Sequence, residues 1–263
     1  MSGFLKTIVT HVKGVVAQGK TRVSMADMRR AAEAPRLVRP FQKALEAKPV
    51  AVIAEVKRAS PSKGDIDLDL DAAQTARRYE QGGAAALSVL TEEKFFKGSL
   101  GDLRAARQAV SLPVLRKEFI VDPYQLYETA AAGADAVLLI ARILEPSQIG
   151  DFMALAAELR LEALVEVFDE ADITKVAPFA PPLVGINNRN LKSFETDTTR
   201  AGRLSGFLPS DTTVVAASGI KDAEDIRRHL ETGISSFLVG ESLVRAEDSV
   251  GLLRSWCNVN GER

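Results

Sequence analysis

Residues 52–66 contain the side chains best suited to chemistry. The apolar tripeptide VIA at 52–54 is typical of a strand buried on both faces, and Glu55 and Lys57 follow it directly. Side chains two residues apart leave the same face of a strand, so this carboxylate and this ammonium group share one face. A loop rich in serine, lysine and glycine comes next. The pattern indicates a site at the end of a strand, although a structural ion pair before a solvated loop would have the same sequence.

Further charged and polar residues follow other apolar runs. Lys117 and Glu166 each end such a run, and Asn187 and Arg189 follow a third. A lysine beside a second cation and two carboxylates can act as an acid near neutral pH, and an arginine can bind a carboxylate through two hydrogen bonds. The alternative is a layer of ion pairs that only closes the end of the fold.

The elements that position these residues alternate regularly. From residue 50 onward, apolar runs recur at intervals of roughly 20–35 residues with helical segments between them, as in a barrel of βα units. The runs are VAVIAEV, AAALSVL, LPVLRKE, DAVLLIA, LEALVEV, LVGIN, TTVVAAS and SSFLVGE. Eight such runs predict a single closed (β/α)8 TIM barrel of class α/β, with the site at the carboxyl ends of the strands. Glycines at 82–83, 133 and 233 are expected to end helices.

The seventh and eighth runs end in loops suited to phosphate. Ser218-Gly219 and Gly240-Glu241 stand directly before predicted helix starts. Glycine lets the backbone approach an anion, and a helix N-terminus offers free N–H groups and a positive dipole end. Each glycine alone could merely make a tight turn, but the two loops together predict phosphate binding, because barrels frequently hold phosphate there.

The composition narrows the class of protein. A net charge of −1 and a pI near 6.2 argue against nucleic-acid or anionic-membrane partners. A single cysteine, Cys257, excludes an internal disulfide and fits a reducing compartment, and no segment resembles a signal peptide or a membrane span. We therefore expect a cytoplasmic protein that is a monomer or a weak homo-oligomer. His11 and His229 are expected on helix surfaces, with no transition-metal site and no cofactor.

The chain is predicted to have three parts. Residues 1–48 read as a helical extension packed on the barrel, residues 49–258 as the barrel, and residues 259–263 as a tail. Phe4, Ile8, Val12 and Val15 fall at helical spacing in the extension. Its basic residues suggest helices that cover one end of the fold rather than a separate binding arm.

Several segments together resemble one known family, indole-3-glycerol phosphate synthase of tryptophan biosynthesis. They are AEVKRASPSKG, SVLTEEKFFKG, VLRKEFIVDPYQ, GADAVLLI, LVEVFDE, GINNRNL, ASGI and FLVGESL. The resemblance spans about residues 5–258, and the first, third and sixth segments are the most specific. It implies a (β/α)8 barrel with an N-terminal helical extension. It also implies a phosphorylated small-molecule substrate, 1-(2-carboxyphenylamino)-1-deoxyribulose 5-phosphate, which closes to a pyrrole ring with loss of carbon dioxide and water.

The resemblance also implies roles for individual residues. Lys117 matches the general acid, Glu166 the base, and Lys57 a lysine that contacts substrate anions, while Glu55 and Asn187 match residues that orient the lysines and the sugar hydroxyls. The other matches fall into three groups: Ser60, Ser62 and Arg189 for the ring carboxylate, Phe96, Phe119 and Leu138 for the apolar wall, and Ser218, Gly219, Gly240 and Glu241 for phosphate. No cofactor is implied, because no step is a redox step.

Two positions depart from the family pattern. Ala217 stands where the family usually has glutamate, which puts one member of the charge network in doubt. Glu241 stands where serine is frequent, and because a carboxylate would repel phosphate, we expect its side chain to point away from the phosphate. Two rival hypotheses remain, a phosphate-binding barrel of altered specificity, such as a phosphosugar isomerase, and a non-catalytic barrel. Intact Lys57, Lys117 and Glu166 argue against the second.

Overall fold

The computed structural model describes residues 3–190 and 194–259, and its centre is a closed barrel of eight parallel strands. The strands are β1 (Ala51–Val56), β2 (Ala86–Leu90), β3 (Val114–Lys117), β4 (Ala136–Ile140), β5 (Glu162–Val167), β6 (Leu183–Asn187), β7 (Thr213–Ala217) and β8 (Ser236–Val239). Each strand pairs with its neighbours in sequence, and β8 returns to β1, where Ser236 lies opposite Ala51. The predicted (β/α)8 barrel is confirmed.

The strands form where they do because both of their faces are buried. All residues of β1, β2, β4, β6 and β8 are buried, as the continuous apolar runs predict. Side chains that point inward fill the barrel, and those that point outward pack against helices. The charged residues of the strands therefore lie near the strand ends, and most of those near the carboxyl ends belong to the site.

Helices connect the strands and surround them. They are α1 (Gly3–Arg22), α2 (Met25–Ala32), α3 (Phe41–Glu46), α4 (Ala72–Gln81), α5 (Leu100–Ala109), α6 (Pro123–Ala131), α7 (Pro146–Glu158), α8 (Glu170–Val176), α9 (Arg200–Ser205), α10 (Ala223–Leu230), α11 (Glu241–Arg245) and α12 (Ser249–Cys257). Short 3₁₀ helices cover Ala141–Ile143 and Ala177–Phe179, and a small antiparallel ribbon pairs Ala59–Ser60 with Gly64–Asp65. None of the helices in the two described ranges is long and apolar enough to cross a membrane.

Local signals set the helix ends. Side chains at the N-caps accept hydrogen bonds from the first free amides of most of the helices between strands; examples are Asp71, Ser99, Asp122, Asp169 and Asp222. The glycines predicted to end helices include Gly83, Gly133 and Gly233, which have φ angles of +91°, +87° and +82°. Only glycine adopts this left-handed conformation without steric cost, so each one lets the chain turn into the next strand.

The N-terminal segment reaches both ends of the barrel, and the expectation of one covered end is wrong. Helix α1 lies over the carboxyl ends of the strands, where its residues contact the site described below. Helix α3 lies at the opposite end: the backbone N–H groups of Phe41 and Gln42 donate to the carboxylate of Glu162, the first residue of β5, at 2.7 and 2.8 Å. Between them, Arg36 donates to the carbonyl oxygens of Ala134 and Leu159.

Two predictions of side-chain burial also fail. His229 is buried, with Nδ1 2.7 Å from the carbonyl oxygen of Asp225 and its ring packed edge-on against Phe237. In α1, Val15 is exposed and Val16 is buried instead. In α1 the apolar spacing predicted the helix correctly but placed its buried face one residue away, whereas the expectation for His229 rested on no spacing argument.

Candidate active site

A cavity of about 700 Å³ opens where the barrel strands end, and every predicted site residue except Leu138 lines it. Leu138 is buried within β4, and Ile140 lines the cavity instead. Residues 138 and 140 share one face of the strand, and Ile140 is the last residue of β4. The apolar wall therefore lies nearer the cavity mouth at this strand.

Glu55 connects the two lysines. Its Oε1 lies 2.8 Å from Lys57 Nζ, and its Oε2 lies 4.0 Å from Lys117 Nζ. Glu55 and Lys57 share a face at the end of β1, and Lys117 is the last residue of β3. One carboxylate therefore holds two ammonium groups at the cavity wall, as the placement on odd-numbered strands predicted.

This arrangement keeps Glu55 ionised. Burial by itself would raise the pKa of the Glu55 carboxyl, but the charges of Lys57 and Lys117 outweigh burial and hold this pKa below its usual value. A buried carboxylate next to two cations also restricts where those cations can lie, because moving either one away would leave a charge without its partner. Glu55 is thus suited to orienting lysines rather than to exchanging protons.

Glu166 and Asn187 form a second group in the same cavity. The Asn187 side-chain amide donates to Glu166 Oε1 at 3.2 Å, and Asn187 Oδ1 accepts from the backbone N–H of Arg189 at 3.0 Å. Both side chains are buried. In contrast to Glu55, Glu166 has no lysine or arginine nitrogen within 4 Å in the part of the chain that the structure describes, so a carboxylate free of a fixed counter-ion faces the cavity.

The residues matched to a substrate carboxylate are also brought together. Arg189 Nη1 donates to Ser62 Oγ at 3.2 Å, and the hydroxyls of Ser60 and Ser62 lie 3.5 Å apart. The serines come from the loop after β1 and the arginine from the loop after β6, three strands away around the barrel. A guanidinium beside two hydroxyls presents several donors to one anion.

The loop after β1 is fixed by Arg58. Its guanidinium donates to both carboxylate oxygens of Asp102, at 2.6 and 2.9 Å, and to the carbonyl oxygen of Leu70 at 2.7 Å. This bidentate pair links the loop to α5. It holds the chain directly before Ser60, so the serines begin from a fixed backbone.

Aromatic side chains form an apolar wall. The rings of Phe96 and Phe119 have centroids 6.0 Å apart. The backbone N–H of Phe96 donates to the carboxylate of buried Glu92, which holds the loop after β2 in place. Such a wall suits a flat aromatic group more than it suits a sugar.

Helix α1 extends this wall, and sequence reasoning missed its role. Phe4, Leu5 and Ile8 line the cavity, and the Phe4 ring packs edge-on between Phe95 and Phe194 at 5.8 and 5.7 Å. The helical spacing of these residues predicted a buried face. Periodicity cannot tell which surface that face covers, so nothing in the sequence pattern linked α1 to the site.

The loops after β7 and β8 have the geometry expected of an anion site. Ser218 and Gly219 have consecutive positive φ angles of 69° and 88°, and such a conformation is uncommon for serine. A Cβ at residue 219 would lie 2.6 Å from Thr196 Cγ2, so glycine is required on two grounds. Gly240 directly precedes α11. Successive amides turned in this way make a concave surface for anions.

The side chain of Glu241 lies at the mouth of the cavity, among three cations. Its Oε1 lies 3.4 Å from Lys63 Nζ and 3.6 Å from Arg245 Nε, and its Oε2 lies 3.5 Å from Arg189 Nη2. The side chain therefore lines the mouth of the cavity and is surrounded by cations. That the side chain points away from a bound phosphate stays a prediction, and the three cations are the groups that hold it at the mouth of the cavity.

Ala217 ends β7 and lines the cavity between Asn187 and Leu238, its register partners. Its side chain supplies no charge there. Among residues 3–190 and 194–259, no group of three His, Cys, Asp or Glu side chains is arranged to hold a metal ion. The polar side chains that line the cavity include lysines, carboxylates, hydroxyls, an amide and arginines.

Solved structures agree with the fold. The tryptophan synthase alpha subunit of Legionella pneumophila matches with a TM-score of 0.62 at 14% sequence identity, covering 85% of this chain and 98% of that one. Thiamine phosphate pyrophosphorylase of Pyrococcus furiosus matches with a TM-score of 0.61, also at 14% identity, covering 82% and 97%. At this level of identity the likeness shows the shared barrel.

Sequence comparisons reach further. The family model of indole-3-glycerol phosphate synthase matches residues 5–255. A protein of that name from Desulfosudis oleivorans is 50% identical over 258 residues, which cover 97% of this chain and 98% of that protein. Another of that name, from Rhodopirellula baltica, is 47% identical over 245 residues, covering 93% and 95%. With its barrel, its paired lysines and these matches over almost its whole length, the chain belongs to the indole-3-glycerol phosphate synthase family.

Proposed function

We propose that the cavity converts 1-(2-carboxyphenylamino)-1-deoxyribulose 5-phosphate into indole-3-glycerol phosphate, carbon dioxide and water, with Lys117 as the general acid and Glu166 as the general base. As a member of its family the chain is a carboxy-lyase of tryptophan biosynthesis. The observation that carries the assignment of roles is the difference between the two carboxylates. Glu55 is held between two lysines, whereas Glu166 faces the cavity beside the amide of Asn187.

The first step is ring closure. Lys117 donates a proton to the ketone oxygen of the substrate, which makes the ketone carbon electrophilic. The aromatic carbon that bears the carboxylate attacks it and forms the new carbon–carbon bond. The carbon–carboxylate bond then breaks, carbon dioxide leaves, and its bonding electrons restore the aromatic ring.

The second step is dehydration. The former ketone oxygen, now a hydroxyl, takes up a proton and leaves as water, and a base removes a proton from the neighbouring carbon to complete the pyrrole ring. Glu166 takes this proton, and Lys57, which Glu55 holds in position, delivers the other. The two lysines give up two protons and Glu166 takes one, so each turnover takes up one proton from solvent, as loss of carbon dioxide from a carboxylate requires. No electrons are gained or lost from outside, so no cofactor is part of the proposal.

Binding follows the same division of the cavity. We place the substrate carboxylate at Arg189, Ser60 and Ser62, the aromatic ring against Phe96 and Phe119, and the phosphate at the loops after β7 and β8. The four residues of the phosphate site are Ser218, Gly219, Gly240 and Glu241, the last through its backbone N–H.

A fluorescence assay tests the proposal. Purified protein is mixed with the carboxyphenylamino substrate, and the appearance of indole fluorescence is followed, with Lys117→Ala as the matched control. Fluorescence that grows with the wild-type protein and not with the variant supports the assignment. Substrate binding without turnover by the wild-type protein would favour the non-catalytic rival.

The proposal also covers the cellular compartment, the oligomeric state and the partners of the enzyme. The near-neutral net charge and the single cysteine favour a cytoplasmic monomer or weak homo-oligomer without nucleic-acid or membrane partners. Sedimentation over a range of protein concentrations tests the oligomeric state, and a stable larger assembly at micromolar concentration would contradict it.

A further inference from the structure

Glu241 is a carboxylate placed among the cations that line the mouth of the cavity. Its two oxygens have different partners: Oε1 faces Lys63 and Arg245, and Oε2 faces Arg189. Lys63 belongs to the loop after β1 and Arg189 to the loop after β6, so one side chain contacts both loops that border the mouth. None of the roles assigned above uses this carboxylate.

The contact with Arg189 conflicts with the binding mode proposed above. If Arg189 binds the carboxylate of the substrate, a second carboxylate already lies 3.5 Å from its Nη2. Two carboxylates that contact the same guanidinium also repel one another, and at a partly screened site this repulsion is strong. Either the substrate displaces Glu241 from Arg189, or the two carboxylates share the guanidinium at a cost in affinity.

The geometry favours displacement. The three distances from the Glu241 carboxylate, 3.4 to 3.6 Å, exceed the roughly 2.7–2.9 Å of a tight charge-assisted hydrogen bond. The pair of Lys57 and Glu55 lies at 2.8 Å, so the same cavity contains a tight ion pair for comparison. Loss of the Arg189 contact would still leave Oε1 between Lys63 and Arg245, so Glu241 would not become an unpaired charge.

We propose that Glu241 is an affinity- and specificity-determining residue, an internal counter-ion that occupies Arg189 in the free enzyme and yields it to the ring carboxylate of the substrate. The proposal rests on the function proposed above. When the carboxylate leaves as carbon dioxide, Arg189 loses that partner, and Glu241 pairs with it again. The side chain therefore weakens binding of ligands that carry the carboxylate and affects ligands without it much less.

The test uses Glu241→Gln and two unreactive ligands. One is the substrate with its ketone reduced to an alcohol, and the other is the same compound without the ring carboxylate. Dissociation constants are measured by calorimetry for the wild-type protein and the variant. Glu231→Gln, at an exposed position beyond the end of α10, controls for the change in net charge.

The expected result is selective tightening. Glu241→Gln should bind the carboxylated ligand roughly 3- to 10-fold more tightly, as expected for removal of a partly exposed competing charge, and should bind the ligand without carboxylate with nearly unchanged affinity. The substrate KM should fall. In an Arg189→Gln background the gain should disappear, because the two residues act on one another.

Three results would overturn the proposal. Weaker binding of both ligands would make Glu241 a positioning residue for the loops, and equal tightening of both would place its effect on the phosphate. Persistence of the gain without Arg189 would exclude exchange at that guanidinium. All three leave the proposed function standing. If the wild-type protein binds neither ligand and turns over no substrate, the proposed function fails and this proposal fails with it.

Discussion

The backbone of Gly240 lies so close to Glu55 that a Cβ at residue 240 would be 2.5 Å from Glu55 Oε1. It would also be 3.0 Å from Lys57 Nζ. Gly240 comes from the end of β8, next to β1 in the barrel, so a phosphate-site glycine also makes room for the buried ion pair. The phosphate end of the cavity and its charge network are thus in direct contact.

Gly240→Ala should therefore reduce turnover more than phosphate binding. The added methyl group displaces the Glu55 carboxylate and with it the lysines, while the backbone N–H groups after β8 remain. A displacement of about 1 Å at a reacting group can lower the rate on the order of 10²-fold. The measurement compares kcat with the affinity for inorganic phosphate.

The matched control is Gly14→Ala in α1, where, among the described residues, nothing apart from the chain neighbours and the nearby backbone of the same helix lies within 4 Å of the added methyl group. This variant should keep wild-type kcat and gain slightly in stability, because alanine has a higher helix propensity than glycine. Wild-type kcat in Gly240→Ala would show that the contact with Glu55 does not matter for the reaction.

Lys117→Ala and Glu166→Gln should retain the fold and substrate binding but lose most turnover. Both residues line one cavity from separate strands, and loss of a positioned acid or base typically lowers the rate on the order of 10²–10⁴-fold. Circular dichroism checks the fold, calorimetry with the reduced substrate checks binding, and indole fluorescence gives kcat. Near wild-type turnover in either variant would remove that residue from the mechanism.

The pKa of Glu55 predicts a pH dependence of stability. Lys57 and Lys117 outweigh burial and lower this pKa in the folded protein, so the folded state binds the proton less tightly than the unfolded state. The resulting contribution to the free energy of unfolding is full above the ordinary pKa, near 4.5, and is lost as the pH falls through the lower folded-state value.

Urea unfolding of the wild-type protein and Glu55→Gln checks this sign. The stability difference between the two proteins should shrink as the pH is lowered from about 6 to about 3, because protonation removes the charge that the variant already lacks. Glu231→Gln again serves as the control for net charge. A difference that stays constant over this range would mean that Glu55 is not the titrating group.

The sequence predicted the barrel well because a strand buried on both faces reads as an unbroken apolar run. For the same reason, a charged residue at the end of such a run, such as Lys117 or Glu166, was a strong indication of a functional site. Leu138, which the family resemblance matched to the apolar wall, does not line the cavity, whereas Ile140, two residues further along the strand, does. Both residues lie on one face of the strand, so the sequence did not show which of the two lines the cavity.

Other features depend on contacts between distant segments. No spacing rule relates Phe4 to Phe194, or Gly240 to Glu55, because each pair is far apart in the sequence and meets only when the barrel has closed. Glu241 shows the same limit: of its three cations only Arg245 lies at helical spacing from it, whereas Lys63 and Arg189 come from loops far away in the sequence.

The absence of a charge at Ala217 leads to the last prediction. A glutamate at this position would project into the cavity lined by Lys57, Lys117 and Glu166, from another odd-numbered strand. A carboxylate there favours the ammonium form of a nearby lysine and so raises its pKa. With alanine at residue 217 this electrostatic stabilisation is missing. Activity that depends on a lysine acid should therefore begin to fall at a lower alkaline pH than in a protein with glutamate there.

Ala217→Glu should therefore move the alkaline limb of kcat against pH to higher pH. Ala217→Gln, which has the same shape without the charge, is the matched control and should leave the limb in place. An unmoved limb in Ala217→Glu would mean that Glu55 already satisfies both lysines. An equal shift in both variants would assign the effect to volume or hydrogen bonding rather than to charge, and inactivity of all three proteins would favour the non-catalytic barrel.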